Sequence, residues 1–248
     1  MEIRLVLNPK RTSLILAAVV ALLSLASLVG GARRFVEEQD TVVAVVVRLC
    51  WSYFRTQREA NIPTWYQSSA LLLCSLLLAM IASGSKRLGR PYAGHWGFLG
   101  AVFLFLSVDE AAEIHEGVNN LVRRAVDPGG PLAYAWVIPY GILAAALGIA
   151  YIGFLSHLPR RTRLLFLLAG GGYVGAAVGV EMAQAVLDQG PYLMARVASP
   201  VAANVEETLE MAAVVLFIYA LLSYIASRLP QLRLSAGEPA IADWEDAG

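Results

Sequence analysis

Eight of the 19 acidic residues lie in segments that are otherwise largely apolar. A charged side chain in the middle of a membrane-spanning helix costs about 2.5–3.5 kcal/mol on insertion scales, so carboxylates in such segments are candidates for function. The eight form three groups along the chain. The groups are Asp109, Glu110, Glu113 and Glu116 with the adjacent His115; Glu181 alone; and Glu206, Glu207 and Glu210.

The spacing of these residues indicates chemistry that depends on neighbouring carboxylates. Asp109, Glu113 and Glu116 are four and three residues apart, which predicts one face of one helix. Carboxylates at this density cannot all be ionised unless cations neutralise them, so the group must hold either protons or cations. Carboxylates together with an imidazole suit iron, zinc or manganese. Pairs with Glu-x-x-Glu spacing hold metals in helical bundles, but the Glu-x-x-His of the di-iron proteins is missing because Ala112 stands three residues before His115.

The pattern therefore predicts a divalent-metal site of iron, zinc or manganese. The predicted ligands are Asp109, Glu113, His115, Glu116, Glu181 and Glu210. The predicted general bases or supporting acids are Glu110, Glu206 and Glu207. The simpler alternative is that acids at a helix start favour the helix dipole and that 113–116 is a solvated turn.

The elements that must position these residues are membrane helices. Hydrophobic residues make up 58% of the chain and charged residues 15%, and the mean hydropathy is +0.61. We predict an all-α bundle of six transmembrane helices, since about 20 apolar residues cross a bilayer as a helix. The predicted spans are 13–31, 66–84, 94–116, 133–156, 164–188 and 204–227. The stretch 41–55 predicts an interfacial helix. Residues 1–229 then form one domain and 230–248 a flexible tail; the first span could instead be a cleaved signal.

The distribution of Arg and Lys predicts the orientation. The short loops 85–93 and 157–163 carry three basic residues each, so both termini and these loops are predicted to be cytoplasmic. All three acidic groups then fall at a similar depth on the opposite side. Trp136 and Tyr140 lie at that boundary, which is typical of an aromatic belt.

Other features narrow the class of protein. A net charge of zero gives no indication of a nucleic-acid partner. The two cysteines, Cys50 and Cys74, do not predict a disulfide framework. Gly171, Gly175 and Gly179 form a double Gly-x-x-x-Gly pattern, which predicts a close helix–helix contact just before Glu181.

Three strings resemble a family of uncharacterised bacterial multipass membrane proteins. They are Asn61-Ile62-Pro63-Thr64-Trp65, the run from Ser107 to Glu116 that contains Asp109-Glu110-Ala111-Ala112-Glu113-Ile114-His115-Glu116, and Glu206-Glu207-Thr208-Leu209-Glu210-Met211. The resemblance covers about residues 60–227. It implies a location in the bacterial inner membrane and implies no activity.

The functional prediction is a membrane protein with a carboxylate-rich, metal-binding site near the periplasmic face. If it is an enzyme, the site predicts metal-assisted hydrolysis or oxidation of a lipid or lipid-soluble substrate. The alternatives are a proton- or cation-coupled transporter and a non-catalytic subunit with buried ion pairs. The bilayer is the predicted partner, and the sequence specifies neither the oligomeric state nor the substrate.

Overall fold

The part of the chain that the structure describes is mostly helical and contains no β-strand. The structure is a computed structural model that describes residues 8–35, 41–55, 61–126, 128–192, 195 and 198–229. The α-helices in this part are α1 Pro9–Gly31, α2 Val42–Tyr53, α3 Ile62–Arg87, α4 Ala93–Ala112, α5 Ile114–Val126, α6 Val137–Ala150, α7 Ile152–His157, α8 Arg160–Val174, α9 Glu181–Asp188 and α10 Ser199–Arg228. The π-helix Gly175–Val180 joins α8 to α9.

Polar side chains define where the first three helices begin. The Oδ1 atom of Asn8 accepts hydrogen bonds from the backbone N–H groups of Lys10 and Arg11. Thr41 and Asn61 cap α2 and α3 in the same way. These side chains satisfy N–H groups that have no acceptor within the helix, so each cap stabilises its helix start by about 1 kcal/mol.

Four helices are long and apolar enough to cross a membrane: Pro9–Gly31, Ile62–Arg87, the continuous segment Arg160–Asp188 and Ser199–Arg228. They correspond to four of the six predicted spans, and they fit a membrane protein. The predicted count of six remains a prediction because the other two segments are interrupted. The predicted interfacial stretch does form a helix, α2. The predicted tail, residues 230–248, lies outside the described residues.

Both interrupted segments break at a single residue. In the segment 94–116 the break is Glu113, whose φ of 56° is left-handed and ends α4 at Ala112. In the segment 133–156 a turn at Tyr151 separates α6 from α7. The prediction that Asp109, Glu113 and Glu116 share one continuous helix face is therefore wrong, because the chain changes direction between the first residue and the other two.

Helix α4 packs antiparallel to both α3 and α10, which sets the relative depth of the residues on these three helices. Ser75 donates a hydrogen bond to the Gly100 carbonyl at 2.8 Å, and Ser68 donates to the Ser107 carbonyl at 2.8 Å, so α3 and α4 run in opposite directions. The rings of Phe103 in α4 and Phe217 in α10 stack 4.6 Å apart. The ring pairs Trp96–Tyr224 and Trp96–Phe166 continue this register towards the other end of the bundle and include α8.

A large apolar core lies between these helices. Its fully buried members include Leu71, Leu78, Phe154, Ile218 and Leu221, which come from α3, α7 and α10. A smaller cluster, Val20 and Leu23 with Met211 and Val215, joins α1 to α10. Burial of a large apolar side chain stabilises a water-soluble protein by about 1.5–3 kcal/mol. Within a membrane, close packing and interhelical hydrogen bonds stabilise the association of helices instead.

The glycines that make close contacts are not the predicted ones. A Cβ on Gly171, Gly175 or Gly179 would meet no atom within 4 Å beyond its own helix neighbourhood, so the predicted Gly-x-x-x-Gly contact is wrong. The glycine of α8 that faces α10 is Gly172, where a Cβ would lie 3.7 Å from that of Ala213. The closest approach in the described chain is at Gly30, which packs against the backbone of Trp51 in α2.

Candidate functional site

The antiparallel register brings the acidic residues to one end of the bundle, which we call the acidic end. It contains the last turn of α4, the start of α5, α9 and the first turns of α10. The Ser24 and Thr208 hydroxyls hydrogen bond at 2.7 Å and tie α1 to this part of α10. Four polypeptide segments that are distant in sequence thus contribute polar side chains at similar depth.

Asp109 is the centre of a hydrogen-bonded group at this end. Its side chain is buried, with 7% of the residue exposed. The Tyr140 hydroxyl donates a hydrogen bond to Oδ1 at 2.9 Å, and Nδ1 of His115 lies 3.3 Å from Oδ2. Each carboxylate oxygen therefore has a different partner, and the imidazole is held by a buried acid on one side.

Glu181 connects to this group through an aromatic side chain. Nε1 of Trp136 donates a hydrogen bond to Oε1 of Glu181 at 2.9 Å. The Trp136 ring lies 5.4 Å from the His115 ring and 5.3 Å from the Tyr140 ring. The π-helix Gly175–Val180 ends directly before Glu181, and π-helical turns occur mostly at functional sites. Glu181 and Asp109, which are 72 positions apart (181 minus 109), are thus connected through Trp136 and its neighbours Tyr140 and His115.

The remaining glutamates lie close to one another in α4 and α10. The carboxyl group of Glu210 interacts electrostatically with those of Glu207, Glu110, Glu206 and Glu181. The hydroxyl of Tyr173 in α8 interacts with the charges of Glu210, Glu110, Glu207 and Asp109. The structure therefore places four glutamates within electrostatic range of Glu210, and Asp109 within electrostatic range of Tyr173.

Two predicted ligands lie apart from this group. Glu113 occupies the left-handed position between α4 and α5 and is exposed. Among the described residues, no side-chain hydrogen bond or ion pair joins Glu113 or Glu116 to Asp109 or to the glutamates; the Glu113 backbone N–H donates to the Asp109 carbonyl, as at any helix end. Arg123, in the same helix as Glu116, is exposed.

No group of three His, Cys, Asp or Glu side chains within the described residues could hold a metal ion. Asp109 and His115 supply two ligand types at 3.3 Å from each other. The predicted metal ligands within the described residues are thus brought together only as the Asp109–His115 pair.

The loop before α6 is fixed by polar contacts that support the site. The buried Oδ1 atom of Asn119 accepts a hydrogen bond from the Ala135 N–H at 2.8 Å, next to Trp136. The Tyr134 hydroxyl donates to Oδ2 of Asp188 at 2.6 Å. Burial, together with this hydrogen bond, raises the pKa of Tyr134 above its usual value of 10.0. These bonds hold the aromatic residues of α6 against α5 and α9.

Sequence analysis missed three residues of this site. Trp136 and Tyr140 were assigned to the aromatic belt, although their spacing of four places both on one helix face. Tyr173 carried no signal because it stands alone in a glycine-rich run. A polar tip on a buried aromatic side chain generally needs a partner, which is the clue that could have identified Trp136 and Tyr140.

Residues 12–225 match the family described as a domain of unknown function (DUF8692). The chain belongs to this family. The match begins within α1 and ends within α10, so the acidic end lies entirely within the DUF8692 domain. Comparison with curated proteins and with solved structures found no match.

Proposed function

We propose that this DUF8692 protein is a membrane enzyme that performs acid–base chemistry on a lipid-soluble substrate at the acidic end. The observation that carries the proposal is the Asp109–His115 pair, in which a buried carboxylate lies 3.3 Å from Nδ1 of a half-buried imidazole. A carboxylate in this position fixes the ring orientation and favours the tautomer with the proton on Nδ1. Nε2 is then the nitrogen that would exchange a proton with a substrate.

The surroundings of Asp109 support this role. The Tyr140 hydroxyl holds the second carboxylate oxygen, so the acid cannot rotate away from His115 without losing a hydrogen bond. Leu104, Phe105 and Val108 are exposed on the same helix as Asp109. An apolar molecule in the bilayer could approach the pair along this surface, which is why we propose a lipid-soluble substrate.

The experiment compares lipid extracts exposed to proteoliposomes that contain wild-type protein or His115→Gln. General acid–base groups contribute about 10²–10⁴-fold to rate, so we expect His115→Gln and Asp109→Asn to lose at least about 100-fold of the wild-type conversion. Glu113→Gln is the matched control at the same end, because Glu113 is exposed and outside the group. His157→Gln is the control for loss of a histidine elsewhere.

Three outcomes decide the proposal. Conversion that depends on His115 and Asp109 but not on Glu113 supports it. Conversion that is equal in wild type and His115→Gln overturns the assigned site. A wild-type protein that converts no component of the extract overturns the enzyme function.

A second candidate function, binding of a divalent metal, rests on a different observation. Glu110, Glu181, Glu206, Glu207 and Glu210 interact electrostatically, and one divalent cation would relieve the repulsion between several of them. We expect elemental analysis of chelator-free protein to find metal in the wild type and in Glu113→Gln but not in Glu210→Gln. Wild-type protein without metal, whose melting temperature does not change in chelator, would leave the carboxylates as proton-holding groups.

A further inference from the structure

The opposite end of the bundle, which we call the basic end, carries a strong positive charge. Residues 61–108, 128–180 and 211–229 contain no Asp or Glu. The cations that gather there come from the α3–α4 turn, the start of α8 and the end of α10. They are Lys86, Arg87, Arg90, Arg160, Arg161, Arg163 and Arg228. These described segments carry positive charge and no acidic residue, which favours an anionic partner.

A cavity of about 390 Å³ opens at this end. Its polar lining includes Arg90, Arg228, His157 and Ser85, and its apolar lining includes Trp96 and Phe154. Among the residues that the structure describes, no acidic side chain belongs to the lining. Neither Arg90 nor Arg228 has an ion-pair partner among the residues whose structure is described.

Ser85 supplies an independent observation that points to a ligand. It lines the cavity, only 1% of the residue is exposed, and its Oγ has no hydrogen-bond partner among the described residues. A buried hydroxyl without a partner is costly, and such groups in native structures require an explanation. A bound ligand oxygen within the cavity would satisfy this hydroxyl.

The backbone around the cavity is also arranged for an anion. α4 begins immediately after Tyr92 and α8 begins immediately after Pro159; both residues line the cavity, and neither helix start has a side-chain cap. The first N–H groups of a helix have no acceptor within it, and the helix dipole places partial positive charge there. Two helix starts thus meet one cavity that already contains two arginines.

The loop that carries Arg90 is held in place. The Arg90 N–H donates a hydrogen bond to the Ser85 carbonyl at 2.9 Å, and Gly89 has the left-handed φ of 61° that this helix ending requires. Tyr92 also has a left-handed φ, 65°, which is strained for a residue with a side chain. Its ring lies 5.1 Å from His157 and 5.8 Å from Phe154. Strain of this kind occurs mostly at binding and switch sites.

We infer that the cavity at the basic end is a binding site for a phosphate-bearing ligand. Arg90 and Arg228 would bind the phosphate oxygens, Ser85 would donate through Oγ, and the aromatic wall would contact the apolar part of the molecule. The same chemistry fits a phospholipid headgroup and a soluble phosphate compound. This site is independent of the function proposed for the acidic end.

The test uses delipidated full-length protein in neutral detergent. Inorganic phosphate and short-chain phosphatidylglycerol are titrated separately at constant ionic strength, with chloride as the anion control. Bound mass is measured by native mass spectrometry, and melting temperature is measured in parallel. We expect saturable binding that Arg90→Gln and Arg228→Gln weaken by about tenfold or more, because each loses a charge-assisted hydrogen bond.

Two variants separate a site from a charged surface. Lys86→Gln removes one positive charge at the same end without altering the lining, so its affinity should stay within about twofold of wild type. Ser85→Ala should weaken binding by about three- to tenfold. It should not lower the melting temperature of the ligand-free protein, because it removes a hydroxyl that has no partner there.

The outcomes are decisive. Binding of phosphatidylglycerol alone supports a headgroup site, and binding of inorganic phosphate as well supports a soluble ligand. Absence of binding for both probes overturns the inference. Equal losses in Arg90→Gln and Lys86→Gln also overturn it, since that result indicates nonspecific attraction to a basic surface.

Discussion

The contact between α1 and α2 provides a stringent test of the fold, and Gly30→Ala is the perturbation. A Cβ on Gly30 would lie 2.8 Å from the backbone nitrogen of Trp51 and 2.9 Å from the carbonyl carbon of Cys50. Ordinary contacts begin at 3.4 Å, so the shorter distance falls about 0.6 Å (3.4 minus 2.8) inside that limit. Both atoms belong to the backbone of α2, so the strain cannot be relieved by rotation of a side chain.

The expected magnitude follows from a matched control. Gly31 is the next residue of α1, and a Cβ there meets nothing within 4 Å. Both Gly→Ala changes gain about 0.5–1 kcal/mol from the reduced flexibility of the unfolded chain and the better helix propensity. Overpacking costs about 1–3 kcal/mol. The difference between Gly30→Ala and Gly31→Ala therefore isolates the clash at about 1–3 kcal/mol.

The assay is thermal unfolding in mild detergent, followed by tryptophan fluorescence and by the monodisperse fraction in size-exclusion chromatography. For a chain of this length, 1 kcal/mol corresponds to about 2–4 °C, so Gly30→Ala should melt about 2–12 °C below Gly31→Ala. Equal melting temperatures would refute the reasoning. They would mean that α2 lies on the membrane surface, away from α1, rather than against it.

Three further predictions concern the site and the orientation. Asn119→Ala should lower the free energy of unfolding by about 1–3 kcal/mol, because it leaves the buried Ala135 N–H without its acceptor; an unchanged denaturation midpoint would contradict the assigned bond. Tyr134→Phe should cost about 0.5–1 kcal/mol at neutral pH through the lost bond to Asp188. Since the folded state holds the Tyr134 proton at a raised pKa, its stability contribution is present below pH 10 and declines above it, so the difference from wild type should narrow at alkaline pH; a constant difference in denaturation curves would argue against the raised pKa. In a cysteine-free background, Ser156→Cys should react with a membrane-impermeant thiol reagent only from the cytoplasm and Gly129→Cys only from the periplasm, and the opposite result would reverse the predicted orientation.

The sequence predicted the parts of this structure that depend on local composition. Long apolar runs identify α1, α3, α10 and the segment 160–188, because a membrane helix needs nothing beyond continuous hydrophobicity. The short helix α2 was also predicted, although its packing against Gly30 was not. The breaks at Glu113 and Tyr151 were missed because neither is a glycine or proline, the residues that usually mark a helix end.

The sequence predicted which acidic residues belong to the candidate site, but it did not predict which side chains they contact. A charged side chain is costly in an apolar segment, so the sequence alone identifies Asp109, Glu181 and Glu210 as candidate site residues. The hydrogen bonds of Asp109 with Tyr140 and of Glu181 with Trp136 depend on how α6 packs against α4 and α9. The spacing of residues within one helix does not predict how two helices pack. The glycine pattern predicted a close contact, but the contact falls one residue away at Gly172 because helix rotation is not fixed by small residues alone.

The π-helix at Gly175–Val180 implies that the direction of Glu181 depends on the backbone conformation of the residues before it, apart from their identity. A π turn accommodates one residue more than the α-helical ladder allows, and each residue of an α-helix rotates the chain by about 100°. If the same residues formed a regular α-helix instead of the π turn, Glu181 would swing by roughly that angle away from Trp136. Deleting one alanine of Ala176-Ala177 would remove the extra residue, so α8 and α9 would join as a regular helix with Glu181 still directed towards Trp136. The π turn thus allows the segment before Glu181 to contain one residue more while this carboxylate stays beside the aromatic residues of α6.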